Sequence, residues 1–466
     1  MAVRSTHAVR AVVLTGLLLL AVFAFGWRLG RATSTGDELV YRGAAAAYLR
    51  GDFSLNQEHP PLAKWLIALG HSLGDGSLVD DRAPAAVCGV LTAAVLFAVA
   101  RRCGGFWTGA VAAGLWCALP LAPGVVPFHL DRRATLEAPL LLFTALAVLA
   151  AQRVAEAPRR DGRWVLLGVA VGAATASKLT GAVVAVVALA VLFPLRRSLT
   201  GVVLAAVSAL LVFVATYLPF GPVLPDALRY VVEFQLQHAD DGAVQSVAGT
   251  LYRFPPWWSA WWFQSRYLGW LGVALLWGLA VLGATRWSRP AVRPVVVALA
   301  GFTVAVVASP LKLPQYHDVL VPPLVVLAAV GLTQLARWWL PGRIVAAAAA
   351  VALLVVAVPH LAALARTGPD GYTRVAALLA DRPGTVVVWG DVPAFAASLP
   401  NRVVGTTVPD CSAVALVVDP TVADRMPDAD VAAWAACDLA PPVEVDRFTV
   451  RLQNAAPRVA ATGGAG

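Results

Sequence analysis

From Ala11 to His360 the chain alternates long apolar runs with polar interruptions of two kinds. The apolar runs fall at 11–27, 83–100, 106–122, 135–151, 164–177, 180–194, 200–219, 267–285, 294–310, 319–336 and 343–360. A helix crosses a bilayer with roughly 20 apolar residues, so the pattern predicts about eleven transmembrane helices. Short interruptions carry arginine: Arg4/Arg10, Arg101/Arg102, Arg153/Arg159/Arg160/Arg163, Arg196/Arg197, Arg286/Arg289/Arg293 and Arg337/Arg343. The positive-inside rule puts these segments, and the N-terminus, in the cytoplasm. The long interruptions, 28–82 and 221–266, then face outward. Residues 164–194 read as two short passes turning near Lys178, because one long span would leave a basic flank outside.

Within the first external loop, residues 37–50 have helical spacing that puts Asp37, Tyr41 and Tyr48 on one face. A second helix is expected to start at Pro60-Pro61, which suit a helix N-terminus, and to run to about residue 73. The run PPWWSAWWF closing the second loop suits the membrane–water boundary. Beyond about residue 361 the chain turns polar. TVVVWG, RVVGTT, AVALVVD and VEVDRFTVRL read as strands, and GYTRVAALLAD and 421–436 as helices. The expectation is a transmembrane domain over 1–360 followed by a small external α/β domain over 361–466.

Composition sharpens this reading. Only 14% of the residues are charged, against about 25% in soluble domains. The net charge of +9 sits mostly in short loops, where it sets orientation and does not imply nucleic acid. The first apolar run follows Arg4 and Arg10 and reads as an uncleaved signal anchor. Few lysines amid much Ala, Val, Arg and Gly is the composition of a GC-rich bacterial genome, which makes the expected location a bacterial plasma membrane. Cys88, Cys103 and Cys117 lie in or near apolar runs, as buried small residues do. Cys411 and Cys437 lie in the polar C-terminal region and are free to pair if it faces an oxidising exterior.

The acids test the topology independently. Of the sixteen Asp and Glu before residue 360, only Glu156 and Asp161 fall on the cytoplasmic side. All the histidines except His7 fall outside, as do all three lysines, Lys64, Lys178 and Lys312. Any chemistry therefore belongs to the outer face. Its candidates come in short groups: Asp37-Glu38 in TGDELVY; Glu58, His59 and Lys64 in EHPPLAK; Asp131, Arg132 and Glu137 in LDRRATLEAP; Lys178 in SKLTG; Lys312 and Tyr316 in SPLKLPQYHDV; His238 in HADD. Taken singly, most have an ordinary explanation as a helix-start acid, a snorkelling lysine or a loop residue. Glu137 is harder to dismiss, since an acid inside a span usually faces a partner or a wet cavity. Together they offer acids to take a hydroxyl proton and amines or a divalent metal to neutralise a phosphate.

The run from Gly36 to Leu69, with its Asp-Glu pair and downstream HPPL-x-K, resembles the first external loop of the polyprenyl-phosphate-sugar-dependent glycosyltransferases of the GT-C fold. Protein O-mannosyltransferases and the aminoarabinose transferases of lipid A belong to this group. The resemblance continues through LDRRATLEAPLLLF, ASKLTG and LKLPQYHDVLVPPL, and covers roughly residues 10–335. It implies a sugar, with mannose favoured, donated from a polyprenyl phosphate to an acceptor hydroxyl on a protein, glycan or lipid, with inversion. Asp37 then matches the catalytic base, with Glu38 beside it. Glu137 carries the second acid, on a longer arm than the family's TLDAP pattern provides, with Asp131 open to share or replace its role. His59, Lys64, Arg132, Lys178, Lys312 and Tyr316 are the expected donor-phosphate contacts. Glu58 matches a position linked to metal or donor-phosphate binding in the aminoarabinose branch, and His238 lies where that branch places a histidine, so the two are the candidate ligands for a divalent metal. Two other readings stay open: a secondary transporter, which would place its charges near the membrane midplane, and a non-catalytic member acting in envelope assembly.

Overall fold

The computed structural model describes residues 2–34, 36–120, 132–157, 161–188, 199–338, 340–368, 370–400, 402–405, 411–419 and 428–454. Two compact units are present. The first comprises Met1–Leu29 and Tyr41–Arg366, and the second Gly30–Val40 and Thr367–Gly466.

The first unit is helical. Its elements are α1 Ala2–Gly26, α2 Asp37–Tyr48 (which begins in the second unit), α3 Leu62–Leu73, α4 Leu78–Gly104, α5 Phe106–Ala118, α6 Glu137–Glu156 and α7 Asp161–Ser177. After these come α8 Leu199–Tyr217, α9 Leu224–Asp241, α10 Ser259–Ala284, α11 Arg293–Ala308, α12 Val321–Leu335 and α13 Leu340–Ala365. A hairpin of β1 Gln245–Val247 and β2 Thr250–Tyr252 joins α9 to α10. Every expected span meets a helix, although residues 121–122 and 189–194 lie outside the described residues. Among the described residues seven helices are long and apolar enough to cross a membrane, and three more apolar ones, Phe106–Ala118, Leu179–Ala188 and Arg293–Ala308, are shorter.

The hydrophobic pattern explains the layering. All of Val321–Leu332 in α12 is buried, as expected for a helix apolar on every side. Its closest neighbour is α10, and glycine makes the crossing possible. A Cβ on Gly331 would stand 2.0 Å from the Leu279 carbonyl oxygen, and one on Gly283 2.0 Å from that of Leu327. Small residues let membrane helices approach to backbone contact in this way. The aromatic run is not a loop ending at residue 266, as the pattern suggests. Its second half, Ser259–Phe263, forms the start of α10, which bends at Gly269 (φ 67°), a conformation that glycine adopts without strain. The second external loop likewise carries more structure than expected, chiefly α9.

The second unit contains α14 Gly371–Leu378, β3 Val386–Trp389, α15 Val392–Ser398, β4 Val403–Gly405, β5 Ala415–Val418, α16 Asp428–Ala435, β6 Val443–Val445 and β7 Phe448–Leu452. The sheet order is β4-β3-β5-β7-β6. β4, β3 and β5 are parallel, while β7 runs antiparallel to β5 and β6. VEVDRFTVRL is a hairpin, not the single strand its alternation suggests. The chain turns at Asp446-Arg447, with Asp446 at φ 59°, and aspartate tolerates that region better than most residues. Tyr372, Phe395 and Phe448 pack ring against ring at 4.7 to 5.0 Å in its core. Cys411 and Cys437 form a disulfide.

Candidate active site

Two elements remote in sequence bring opposite charges together inside the helical unit. Glu137 opens α6, and Lys178 stands in extended backbone between α7 and the 3-10 turn Leu179–Ala185. The break at Lys178 falls where the two-pass reading puts its turn. Gly181 lets the chain fold back there, since a Cβ would meet the Ala174 backbone at 2.3 Å. Lys178 Nζ donates to Glu137 Oε1 at 2.7 Å, with both side chains buried. The same ammonium lies 4.4 Å from the centroid of the Tyr316 ring. Lys178 is therefore not a lysine snorkelling to the interface. The pair follows the rule that charges within apolar spans find each other.

A cavity of about 170 Å³ opens beside this pair, lined among others by His59, Lys178, Thr180, Gln235, Ser309 and Tyr316. Four separate segments thus converge on one cavity: the EHPPL turn, the break after α7, α9 and the 309–316 segment. Gln235 had no sequence signal of its own. It lies three residues before His238, on the same face of α9, and its Nε2 donates to the Glu58 carbonyl at 3.1 Å.

The EHPPLAK stretch divides its labour. The His59 ring packs edge-on against Tyr41 at 6.0 Å and Phe234 at 6.5 Å. Burial, and then the charges of Lys178, Lys64 and His238, push its pKa well below the ordinary histidine value. At neutral pH the cavity wall at this point is a neutral imidazole. Lys64 does not line the cavity. It is fully buried, and its ammonium donates to the His59 carbonyl at 2.8 Å, to Asn56 Oδ1 at 3.2 Å and to the Asn56 carbonyl. Three donors meet three acceptors of the turn that precedes α3. Burial lowers the Lys64 pKa to about 7, against the opposing pull of Glu58.

The remaining candidates are spread more widely. Lys312 Nζ donates to the Ser309 carbonyl at 2.5 Å, and burial lowers its pKa. Arg132 is buried, and its guanidinium donates to the Trp27 carbonyl just past α1, not into the cavity lining. Asp37 is exposed in the first turn of α2, and Glu38 beside it is buried. The turn before them is held by the Gly36 amide, which donates to Asp391 Oδ2 at 2.8 Å within the second unit. Asp131 lies outside the described residues.

The metal expectation finds partial material. Among the described residues Glu58 Oε2 is buried without a hydrogen-bond partner, and His238 stacks on Phe234 at 5.3 Å. Among the described residues, however, no group of three or more His, Cys, Asp or Glu side chains could hold a metal ion. Two ligands fall short of the three protein ligands that catalytic zinc sites use.

Comparison with known proteins bears on the whole arrangement. Residues 58–220 match the family model described as dolichyl-phosphate-mannose-protein mannosyltransferase. That stretch contains Glu58, His59, Lys64, Glu137 and Lys178. The structure of ArnT from Cupriavidus metallidurans bound to undecaprenyl phosphate superposes with a TM-score of 0.59 at 18% identity, covering 96% of this chain and 98% of that one. The chain has a GT-C glycosyltransferase fold. Another GT-C structure, the Archaeoglobus fulgidus oligosaccharyltransferase AglB with an inhibitory peptide and a dolichol-phosphate, superposes with a TM-score of 0.57 at 12% identity, covering 89% of this chain and 69% of that one. The same oligosaccharyltransferase complexed with Zn and sulfate gives 0.55 at 12% identity, covering 88% and 68%. No curated protein matches by sequence. The expected resemblance to the GT-C glycosyltransferases is thus borne out.

Proposed function

We propose that this chain transfers a sugar from a polyprenyl phosphate to an acceptor hydroxyl on the extracytoplasmic face, with inversion at the anomeric carbon. The observation that carries the reading is Lys178, a buried cation set against Glu137 and Tyr316 in the wall of a cavity shared with His59 and Gln235. In a water-poor cavity a fixed cation stabilises a departing phosphate far more than it would in water. The acceptor oxygen attacks C1 of the sugar and Asp37 takes the acceptor's proton. The bond from C1 to the phosphate oxygen breaks, and its electron pair leaves with the polyprenyl phosphate, whose charge Lys178 meets. Attack and departure on opposite sides invert the carbon. Glu137 holds Lys178 in register, and Lys64 holds the turn that carries His59.

The family model's description favours mannose as the sugar, and the lipid phosphates bound by ArnT and AglB favour a polyprenyl carrier. The acceptor class stays broad: a protein, glycan or lipid hydroxyl. The Cys411–Cys437 disulfide supports an extracytoplasmic second unit, and the arginine distribution supports a cytoplasmic N-terminus in a bacterial plasma membrane.

The test is release of polyprenyl phosphate from radiolabelled polyprenyl-phosphate mannose by protein in nanodiscs, with a membrane extract as acceptor source. Asp37→Asn should slow release by about 10²- to 10⁴-fold, the usual contribution of a positioned base, without altering the fold of an exposed position. Release that Asp37→Asn leaves unchanged would sink the assignment. Counterflow of a labelled solute without any release would favour a transporter instead.

A further inference from the structure

Along α6 from Phe143 to Glu156, toward the helix end opposite Glu137, lies a second and larger cavity. It measures about 510 Å³, opens to the outside, and is lined by α6 and α7 with Arg102 of α4, within the range of roughly 300–1,000 Å³ typical of small-molecule sites. Its charged lining is Arg102, Arg153, Arg163 and Glu156, three cations against one carboxylate. Arg102 is ion-paired with Glu156, and Arg163 Nη1 donates to the Arg153 carbonyl, so the charged groups are gathered at one end. From there two apolar stripes lead away. On α6 the lining runs from Arg153 through Ala150 and Leu146 to Phe143, and on α7 from Arg163 through Leu166 to Val169. These residues recur every three or four positions, on one face of each helix. The cavity is therefore a slot about 15 Å long at 1.5 Å per residue, basic at the end where α6 finishes and α7 begins and apolar along its length.

That shape fits an amphiphile with an anionic head. We propose that the slot holds one acyl chain of an anionic glycerophospholipid taken from the surrounding bilayer, with its phosphate between Arg153 and Arg163. The apolar stripes exclude a free soluble anion as the natural occupant, since it would leave Phe143, Leu146 and Leu166 facing nothing. The arginines exclude a neutral lipid, which would leave three guanidiniums against one carboxylate at the membrane boundary. Basic pockets between helices at the membrane surface select anionic headgroups for this reason. The site is separate from the Lys178 cavity and does not depend on the transfer reaction.

The full-length protein would be released from nanodiscs of phosphatidylcholine containing a minor fraction of phosphatidylglycerol, and retained lipids counted by native mass spectrometry. Wild type should retain phosphatidylglycerol in preference to phosphatidylcholine. The R153Q/R163Q double variant should lose that preference by about tenfold or more, from roughly 1 kcal/mol per arginine near an anionic surface and about 1.4 kcal/mol per decade. Leu166→Trp, which fills the slot and keeps the arginines, should also lose the retained lipid. A preference unchanged in the double variant, or retention unchanged in Leu166→Trp, would overturn the proposal. A parallel arm replaces phosphatidylglycerol with undecaprenyl phosphate. Selective retention of that lipid alone would overturn it as well, because the slot would then serve the donor's carrier. Should the double variant fail to fold, Leu166→Trp and the lipid comparison in wild type decide the matter.

Discussion

At the residue scale, the account rests on two lysines with different tasks. Lys178 and Glu137 neutralise each other in a buried setting. Removing one partner of such a pair strands the other charge and costs about 3–5 kcal/mol, whereas replacing both with apolar residues is often close to neutral. Lys178→Met and Glu137→Gln should each lower the melting temperature in detergent, while Lys178→Met/Glu137→Leu should recover most of the loss and remain inactive. A double variant that recovers transfer as well as stability would remove Lys178 from the chemistry. Lys64 makes a different forecast. Its pKa in the folded protein is about 7, below the unfolded value of about 10.5. Between those values the native state binds fewer protons than the unfolded chain, so this residue's contribution to stability rises with pH across that window. Thermal denaturation from pH 7 to pH 10 should show the rise in wild type and a flatter profile in Lys64→Met. That variant should also be less stable, because three oxygens of the turn lose their donor. Sequence alone marked both lysines as anomalous in an arginine-rich chain, but assigned both to phosphate. It had no means of seeing that Lys64 turns inward onto Asn56 and His59, because that depends on how the loop closes and not on spacing.

At the element scale, each apolar run met a helix, and the proline pair located α3 closely, but α9 in the second external loop was missed. Local pattern was less informative wherever tertiary packing sets the geometry. VEVDRFTVRL alternates as one strand does, yet Asp446 makes it a hairpin. Gln235 was silent in the sequence because a lone glutamine on an amphipathic helix carries no distinguishing signal; only the convergence of α9 on the EHPPL turn gives it a place. The crossing of α10 and α12 through Gly283 and Gly331 was equally hidden, since glycine is common in membrane helices. It makes a firm forecast. Gly331→Val drives a side chain into the Leu279 carbonyl, so it should lower thermal stability by an amount typical of overpacking, about 1–3 kcal/mol or more. Wild-type stability in this variant, followed by tryptophan fluorescence in detergent, would contradict the packing described.

At the scale of the whole molecule, the sequence's segregation of charge and the structure's two cavities give the same polarity. The acid–lysine pair lies at one end of α6, and the arginines of the slot at the other. Under the proposed function, anchoring charge sits on one side and chemistry on the other. Single cysteines introduced at Asp240 and at Arg286 should differ in intact cells: a membrane-impermeant maleimide should label the first and not the second. The reverse pattern would invert the topology and move the reaction to the cytoplasmic face.

The most direct test of the central claim is the affinity of nanodisc-embedded protein for polyprenyl phosphate compared with the uncharged polyprenol, in wild type and in Lys178→Met. A charge-assisted hydrogen bond contributes about 1.5–3 kcal/mol, so wild type should prefer the phosphate-bearing lipid and Lys178→Met should lose about 10- to 100-fold of that preference. If the two lipids bind wild type equally, or if Lys178→Met leaves the preference intact, the Lys178 cavity is not where the donor's phosphate leaves.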